Sequence, residues 1–255
     1  MKACITGASS GIGRDMARVL ADYGIDLFIV ARRSERLKQL QSELSEKVHV
    51  TAITLDLADE QSCHLLYERL ANEDIDILIN NAGFGLAGSF ADCDLAKEMN
   101  MIDTNIKACH ILTKLFLRDF VKRDFGYILN VASAAAFLPG PMMATYYATK
   151  AYVQRFTLAI RKELQKQHAH VFVSTLCPGP VQSEFSEVAG VQFKIKGKSS
   201  YEVAKTAIDE MFAQRAIIIP GKLMKAAYVC CKVLPLAVLL EAAYHIQKRK
   251  QAESE

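Results

Sequence analysis

Short apolar runs alternate with helical patterns along most of the chain. The runs Ala3–Thr6, Leu27–Ala31, Val48–Leu55 and Ile75–Asn80 predict four strands, and Gly126–Val131, His170–Leu176 and Ala216–Ile219 predict three more. They are near-continuous rather than alternating, as in strands buried on both faces of a parallel sheet. Between the first two runs, Ile12, Met16, Val19, Leu20 and Tyr23 fall at helical spacing on one face. This alternation predicts a doubly wound α/β fold around a seven-stranded parallel sheet. No repeat, low-complexity tract or linker interrupts the sequence, so a single domain over residues 1–255 is expected.

Composition narrows the function classes. A chain that is 51% hydrophobic can bury one large core. Its 31 basic and 28 acidic residues are interspersed and leave a net charge of only +3, which argues against a nucleic-acid partner. The seven cysteines are odd in number and lack CxxC spacing, so reduced thiols in a reducing, cytoplasmic setting are expected, with no metal site. A first strand beginning at Lys2 leaves no room for a leader.

The first strand runs into TGASSGIG, residues Thr6–Gly13. Here Gly7 allows a sharp turn, Gly11 lets a pyrophosphate approach the backbone, and Gly13 allows close helix–sheet contact. With Ser9, Ser10 and Ile12 they form a strand–turn–helix in which a phosphate rests on the helix N-terminus. Further on, in YYATK, Tyr146 and Lys150 are four residues apart and share one helical face, whereas Tyr147 is rotated away by about 100°. A free phenol has a pKa of about 10, and a nearby ammonium favours the phenolate. Lys150 is therefore expected to lower the pKa of Tyr146, making it a general acid and base. No GxSxG elbow surrounds Ser133, so a serine hydrolase does not fit.

The glycine spacing of TGASSGIG, the NNAG of residues 80–83, and Ser133 thirteen residues before Tyr146 together resemble the short-chain dehydrogenase/reductase family. The resemblance runs from about Lys2 to Ile219. It implies a Rossmann fold and an oxidoreductase that interconverts a carbonyl and an alcohol. It implies catalytic roles for Asn105, Ser133, Tyr146 and Lys150, with Tyr146 and Lys150 also touching the cofactor. Asn100 lies close enough to Asn105 to compete for its place, and a strand-end serine is also a common helix cap. Asp56 resembles the family's acceptor for the adenine amino group, with Leu57 beside the ring; a loop or N-cap role for Asp56 stays open. Asn81, Ala82 and Gly83 would pass near the ribose, the asparagines serving alternatively as strand braces. Pro178, Gly179 and Val181 resemble the family's segment beside the nicotinamide.

NAD-binding members usually carry an aspartate at the end of the second strand, where this chain has Ala31 followed by Arg32 and Arg33. A guanidinium there suits a 2′-phosphate, so NADP is the expected cofactor. Ser34 is the expected N-cap of the next helix.

Segment 183–198 stands where the family carries its substrate loop. Phe185, Val188, Val191, Phe193 and Ile195, facing Ala134–Phe137 and Met142–Met143, suggest a hydrophobic carbonyl or alcohol substrate, such as a lipid, acyl or steroid-like compound. A C-terminal helical extension, residues 221–255, is apolar with a basic end at Lys248, Arg249 and Lys250. Its two readings are peripheral membrane contact as an amphipathic helix, or a cover over the active site or a neighbouring subunit. The resemblance also implies a homodimer or homotetramer. Alternatives on the same fold are a non-catalytic nucleotide-sensing protein and an epimerase or dehydratase.

Overall fold

The computed structural model describes residues 1–190 and 197–251. Val191, Phe193 and Ile195 of the expected substrate loop fall outside this part, as do the side chains of Val188, Arg249 and Lys250.

In chain order the strands are β1 (Lys2–Thr6), β2 (Asp26–Ala31), β3 (Val50–Thr54), β4 (Ile77–Asn80), β5 (Gly126–Val131), β6 (Val171–Leu176), β7 (Val181–Gln182), β8 (Lys198–Ser199) and β9 (Ile217–Ile218). Seven of them form one sheet in the order β3-β2-β1-β4-β5-β6-β9, and every pairing is parallel. The seven apolar runs thus become the seven predicted strands, each within two residues of its expected bounds at either end. The short β7–β8 pair, not foreseen, forms a separate parallel ribbon.

The helices are α1 (Gly11–Asp22), α2 (Ser34–Leu44), α3 (Glu60–Leu70), α4 (Leu95–Ile102), α5 (Ala108–Lys122), α6 (Ala144–Lys166), α7 (Phe185–Ala189), α8 (Ser200–Phe212), α9 (Lys222–Val233) and α10 (Leu236–Gln251). Several begin on ordinary side-chain caps. The Asp59 carboxylate accepts the free N–H groups of Gln61 and Ser62 at α3, and Ser199 with Glu202 forms a capping box at α8.

Why the strands are apolar throughout is visible in the two cores. Ala3 and Ile5 of β1 and Ile77 and Ile79 of β4 pack with Met16, Leu37 and Ile208 from α1, α2 and α8. The intervening residues Cys4, Phe28, Leu78 and Ile128 point the other way, into a core with Leu66, Phe116 and Leu164 from α3, α5 and α6. Successive strand side chains alternate faces, so covering both faces with helices favours an apolar residue at most positions. One expected core residue behaves differently. Tyr23 caps the C-terminus of α1 at 45% exposure, and its hydroxyl meets Asp209 and Lys205. Its spacing fits the apolar face, but the helix ends at Asp22, before the ring can turn inward.

The sheet order reverses at β1, with β2 and β3 to one side and β4, β5 and β6 to the other. The loops leaving the carboxyl ends of β1 and β4 therefore diverge and open a crevice. The C-terminal extension folds as α9 and α10, broken at Leu234–Pro235. Tyr228 of α9 packs on Phe137 with ring centroids 4.7 Å apart, and the Gln247 amide of α10 bonds the Tyr147 hydroxyl. Among the described residues no helix is long and apolar enough to cross a membrane.

Ile79 is fully buried at the centre of the sheet. Ile79→Ala is expected to cost about 2–5 kcal/mol of stability, measured by urea denaturation; a loss below about 1 kcal/mol would show that β4 is not a central core strand.

Candidate active site

At the end of β1, Gly7 and Gly11 both adopt positive φ, +66° and +54°, which is ordinary for glycine but strained for any other residue. The turn is also pressed against β4. A Cβ on Gly7 would lie 2.8 Å from the Ala82 backbone, and one on Gly13 would lie 2.3 Å from the Asn81 amide nitrogen. Asn81 explains this contact. Its Nδ2 donates to the carbonyls of Thr6 and Gly7 at 3.0 and 3.1 Å, while the Thr6 hydroxyl accepts the backbone N–H groups of Asn81 and Ala82. Asn81 is thus a brace for the glycine turn. Asn80 braces too, bonding Thr113 and Asn130 inside the core.

Ser10 is the N-cap of α1, yet its hydroxyl makes no capping bond. It receives Arg33 Nη2 at 2.6 Å instead, and Ser9 Oγ receives Arg33 Nε and Nη2 at 3.1 and 3.0 Å. The side chain that would ordinarily occupy the first N–H groups of α1 is turned away from them, which leaves the helix end suited to an anion. Arg33, not Ser34, occupies the N-cap position of α2, without a side-chain cap bond. The expected Ser34 cap is displaced because the helix already begins at Ser34. Arg33 also pairs with Glu184 at 2.8 Å, and Arg36 meets the other oxygen of the same carboxylate. Arg32 is more exposed and lies 3.8 Å from Asp56. Asp56 accepts the Ala58 N–H at 3.1 Å, the loop role left open from sequence, while Leu57 is buried among Ile53, Cys63 and Leu66.

These groups line a cavity of about 310 Å³ that runs from Gly7 past Ile12, Ala31 and Arg33 to Asp56, Leu57, Ala82 and Gly83. A second cavity of about 280 Å³ continues from it, sharing Ile12, Asn81, Gly83, Ser183 and Phe185. Ser133, Tyr146, Lys150, Pro178, Gly179 and Val181 line this second part. A dinucleotide fits the combined cleft: the glycine cradle has no room for side chains, the α1 end is open to phosphate, and Arg33 is poised at one rim.

Helix α6 carries the tyrosine–lysine pair. Tyr146 and Lys150 are buried at 7% and 5% exposure, with the Lys150 nitrogen 5.9 Å from the Tyr146 ring centre. Lys150 donates to the Val131 carbonyl at 3.0 Å. Ser133 caps a 3-10 turn, Ala134–Phe137, by accepting the Ala135 N–H at 3.1 Å, and its hydroxyl lies near enough to the Tyr146 phenol to favour the ionised form. The cap reading of Ser133 is thus met, on the same cleft wall that carries Tyr146. Tyr147 projects elsewhere, toward Gln247.

Asn105 sits in a π-helical turn, Asp103–Lys107, between α4 and α5. Such widened turns recur at functional sites. The turn places Asn105, 2% exposed, against Phe84: Oδ1 accepts the Phe84 N–H at 3.0 Å, and Nδ2 donates to the Phe84 carbonyl and the Thr149 hydroxyl. A Cβ on Gly83 would lie 2.7 Å from Asn105 Oδ1 and 3.3 Å from Lys150 Nζ. Asn105 rather than Asn100 thus joins the constellation, and Gly83 is what lets these groups converge.

The electrostatics correct one expectation. Among the protein's own groups, burial pushes the Tyr146 phenol up rather than down, and the nearby Ser133 hydroxyl only partly opposes it. Burial likewise lowers Lys150 to about 8, with Cys109 and Cys177 pulling the other way. Both groups lose water on the same helix face, and desolvation disfavours each charged form. The ammonium does not offset that cost for the phenol.

Sequence reasoning missed Ser183, Glu184 and Arg36. Ser183 lines both halves of the cleft, its Cβ 3.3 Å from a Cβ built on Gly11. It lay within the segment already singled out after Pro178. The Glu184 pairing joins residues 151 positions apart and leaves no local trace.

Comparison with known proteins agrees with this geometry. The family model described as short chain dehydrogenase matches residues 1–194. The chain belongs to the short-chain dehydrogenase family. Sulfoacetaldehyde reductase 2 of Chromohalobacter salexigens is 41% identical over 188 residues, covering 72% of this chain and 74% of that protein. The human very-long-chain 3-oxoacyl-CoA reductase is 33% identical over 192 residues, covering 73% of this chain and 61% of that protein. A short-chain dehydrogenase from Sphingobium yanoikuyae, solved in complex with NADPH, superposes with a TM-score of 0.81 at 29% identity, covering 92% of this chain and 97% of that one. This short-chain dehydrogenase is accordingly a Rossmann-fold oxidoreductase that acts on alcohol or carbonyl groups with a nicotinamide cofactor.

Its buried lysine yields a pH test. Lys150 binds its proton less tightly when folded, at about 8, than at the ordinary lysine value of 10.5. The unfolded chain therefore holds more protons between those pH values, and stability contributed by this group rises with pH there. Lys150→Met removes a buried charge, so near pH 7 it is expected to melt higher than wild type, the gain shrinking as pH climbs from about 8 to 10.5. A melting difference that does not vary with pH would contradict the lowered pKa.

Proposed function

We propose that this enzyme is an NADP(H)-dependent reductase that interconverts a hydrophobic carbonyl compound and its alcohol, with Tyr146 as general acid and base. The observation that carries this reading is the convergence of Ser133, Tyr146 and Lys150 in one cleft with the glycine turn. Loss of any of the three would favour a non-catalytic nucleotide binder; all are present and within one cavity.

A nicotinamide bound here supplies or accepts the hydride. Ser133 accepts from Ala135, so its own hydroxyl hydrogen is available to a carbonyl oxygen and stabilises the charge that develops there. Tyr146 holds the proton that this oxygen receives, and takes one back in the oxidative direction. Lys150, fixed by the Val131 carbonyl, presents its ammonium below pH of about 8 and favours the phenolate left behind. Asn105 holds the Phe84 backbone and Thr149, which keeps the α6 face and the Gly83 segment in register. Arg33, with Arg36 beside it, supports NADP(H): a 2′-phosphate would replace Glu184 as the anionic partner of these guanidinium groups.

The substrate class rests on the cavity wall. Ala135, Leu138, Met143 and Phe185 surround Tyr146, and Lys150 is the single charged residue among the described lining. A small anionic aldehyde, such as the name of the sulfoacetaldehyde relative implies for that protein, would find no cation besides Lys150 among the described lining. An apolar ketone buries its surface there at about 25 cal/mol per Å².

Two measurements test the reading. Tyr146→Phe is expected to lower kcat for ketone reduction by about 10²-fold or more while NADPH affinity stays within about twofold; near-normal turnover would overturn the assignment. Arg33→Ala is expected to weaken NADPH binding by about tenfold to a hundredfold, the size of a lost charge-assisted hydrogen bond, with a much smaller effect on NADH. Equal losses for both cofactors would remove the case for NADP preference.

A further inference from the structure

Beside the catalytic cavity lies a larger groove of about 560 Å³, bounded by the start of α6 on one side and by α9 and α10 on the other. Ala144, Ala148 and Ala151 form its α6 wall, opposite Leu239 and Leu240 of α10, and Arg155 is the single charged residue among its described lining. The groove is not a separate feature of the surface. Phe137, Leu138, Tyr147 and Cys231 line both it and the cavity that holds Tyr146 and Lys150.

We propose that this groove is a binding site for the tail of the substrate, an unbranched alkyl or acyl chain whose carbonyl sits against Ser133 and Tyr146. The inference rests on the carbonyl-reductase reading and extends it to a substrate class. One helix organises both halves. Residues 146 and 150 of α6 are four apart and face the cofactor cleft, while 144, 148 and 151, at i, i+4, i+7, lie about 150° round the helix. Tyr147 stands between the two faces, and a chain leaving the reactive carbon reaches the alanine wall by passing Phe137, Leu138 and Tyr147, residues that line both cavities.

The junction is arranged for an apolar occupant. Tyr147 is the polar side chain of α6 that both cavities touch, and its hydroxyl is occupied by the amide of Gln247, itself only 3% exposed. The ring then offers its carbon face to the passage. Its position is fixed from behind by Gly140, where an added Cβ would stand 2.3 Å from the ring carbon Cγ. The volume falls in the range of small-molecule sites, about 300–1,000 Å³. Small alanines on one wall and leucines on the other leave width for a hydrocarbon chain and few polar groups for a polar one.

The test uses the full-length protein with NADPH and methyl ketones of four to twelve carbons. Affinity by calorimetry and kcat/KM by NADPH oxidation are measured for wild type, Ala148→Phe, Ala151→Phe and Leu239→Gln. In wild type, affinity is expected to climb with chain length by up to about fourfold per buried methylene. In the two filling variants and in Leu239→Gln, the long-to-short ratio is expected to fall by about tenfold or more. Should one filling variant fail to fold, Leu239→Gln on the opposite wall still decides. A chain-length trend that is flat in wild type, or identical in all variants, overturns the proposal. So does a result in which the variants leave ketone affinity alone but abolish sedimentation with phospholipid vesicles or change the oligomeric state. Long ketones that bind with the expected trend but are never reduced would leave the tail site standing and remove the reductase reading. Ketones reduced without any length dependence would do the reverse.

Discussion

Tyr146 and Lys150 lose their water within one turn of α6, and each is thereby held toward its neutral form. Burial raises the phenol and lowers the ammonium to about 8, so the protein alone presents a site biased against charge. The surrounding groups make sense as responses to this constraint. Val131 gives Lys150 a carbonyl, Ser133 gives Tyr146 a hydroxyl, and Asn105 fastens the backbone that closes over them. A positive nicotinamide ring is the further charge that would favour a phenolate here. On this view the site is poised so that its acid ionises only when the partner in the reaction is in place.

The sheet supplies the position. Strand order reverses at β1, and the loops from β1 and β4 part at their carboxyl ends. The Thr6–Asn81 hydrogen bonds then tie those two strand ends together across the opening, so the glycine turn keeps its shape without any side chain of its own. Strands β5 and β6 deliver Ser133 and Pro178 to the same edge, and α6 returns behind them with the tyrosine and lysine. Each of these groups therefore stands on or beside a rigid element, which suits chemistry that tolerates little displacement.

Much of this was legible in the sequence where the chemistry imposes a fixed spacing within one element. The glycines of TGASSGIG answer to two positive φ angles and two close contacts with the β4 end, and Tyr146 with Lys150 answers to the helical repeat. The seven apolar runs were readable because a parallel sheet covered on both faces leaves few polar positions, and those that occur, such as Asn80 and Asn130, bond one another. What escaped was of two kinds. Contacts between distant segments, such as Glu184 with Arg33 or Gln247 with Tyr147, depend on tertiary placement that no local pattern encodes. Balances between opposing effects also escaped. Proximity suggested that Lys150 would lower the phenol, but the depth of burial, unknown from sequence, decides the sign. The π-helical turn at Asn105 belongs with the first kind, since it needs the bonds to Phe84 and Thr149 to hold it open.

The claim that Tyr146 becomes acidic only beside a charged nicotinamide is tested most directly by ultraviolet difference titration of wild type against Tyr146→Phe, with and without NADP+. The account predicts a phenolate signal, absent from the variant, that moves to lower pH when NADP+ is added. An identical midpoint with and without NADP+, or a Tyr146 phenol already ionised near neutrality in the protein alone, would contradict it.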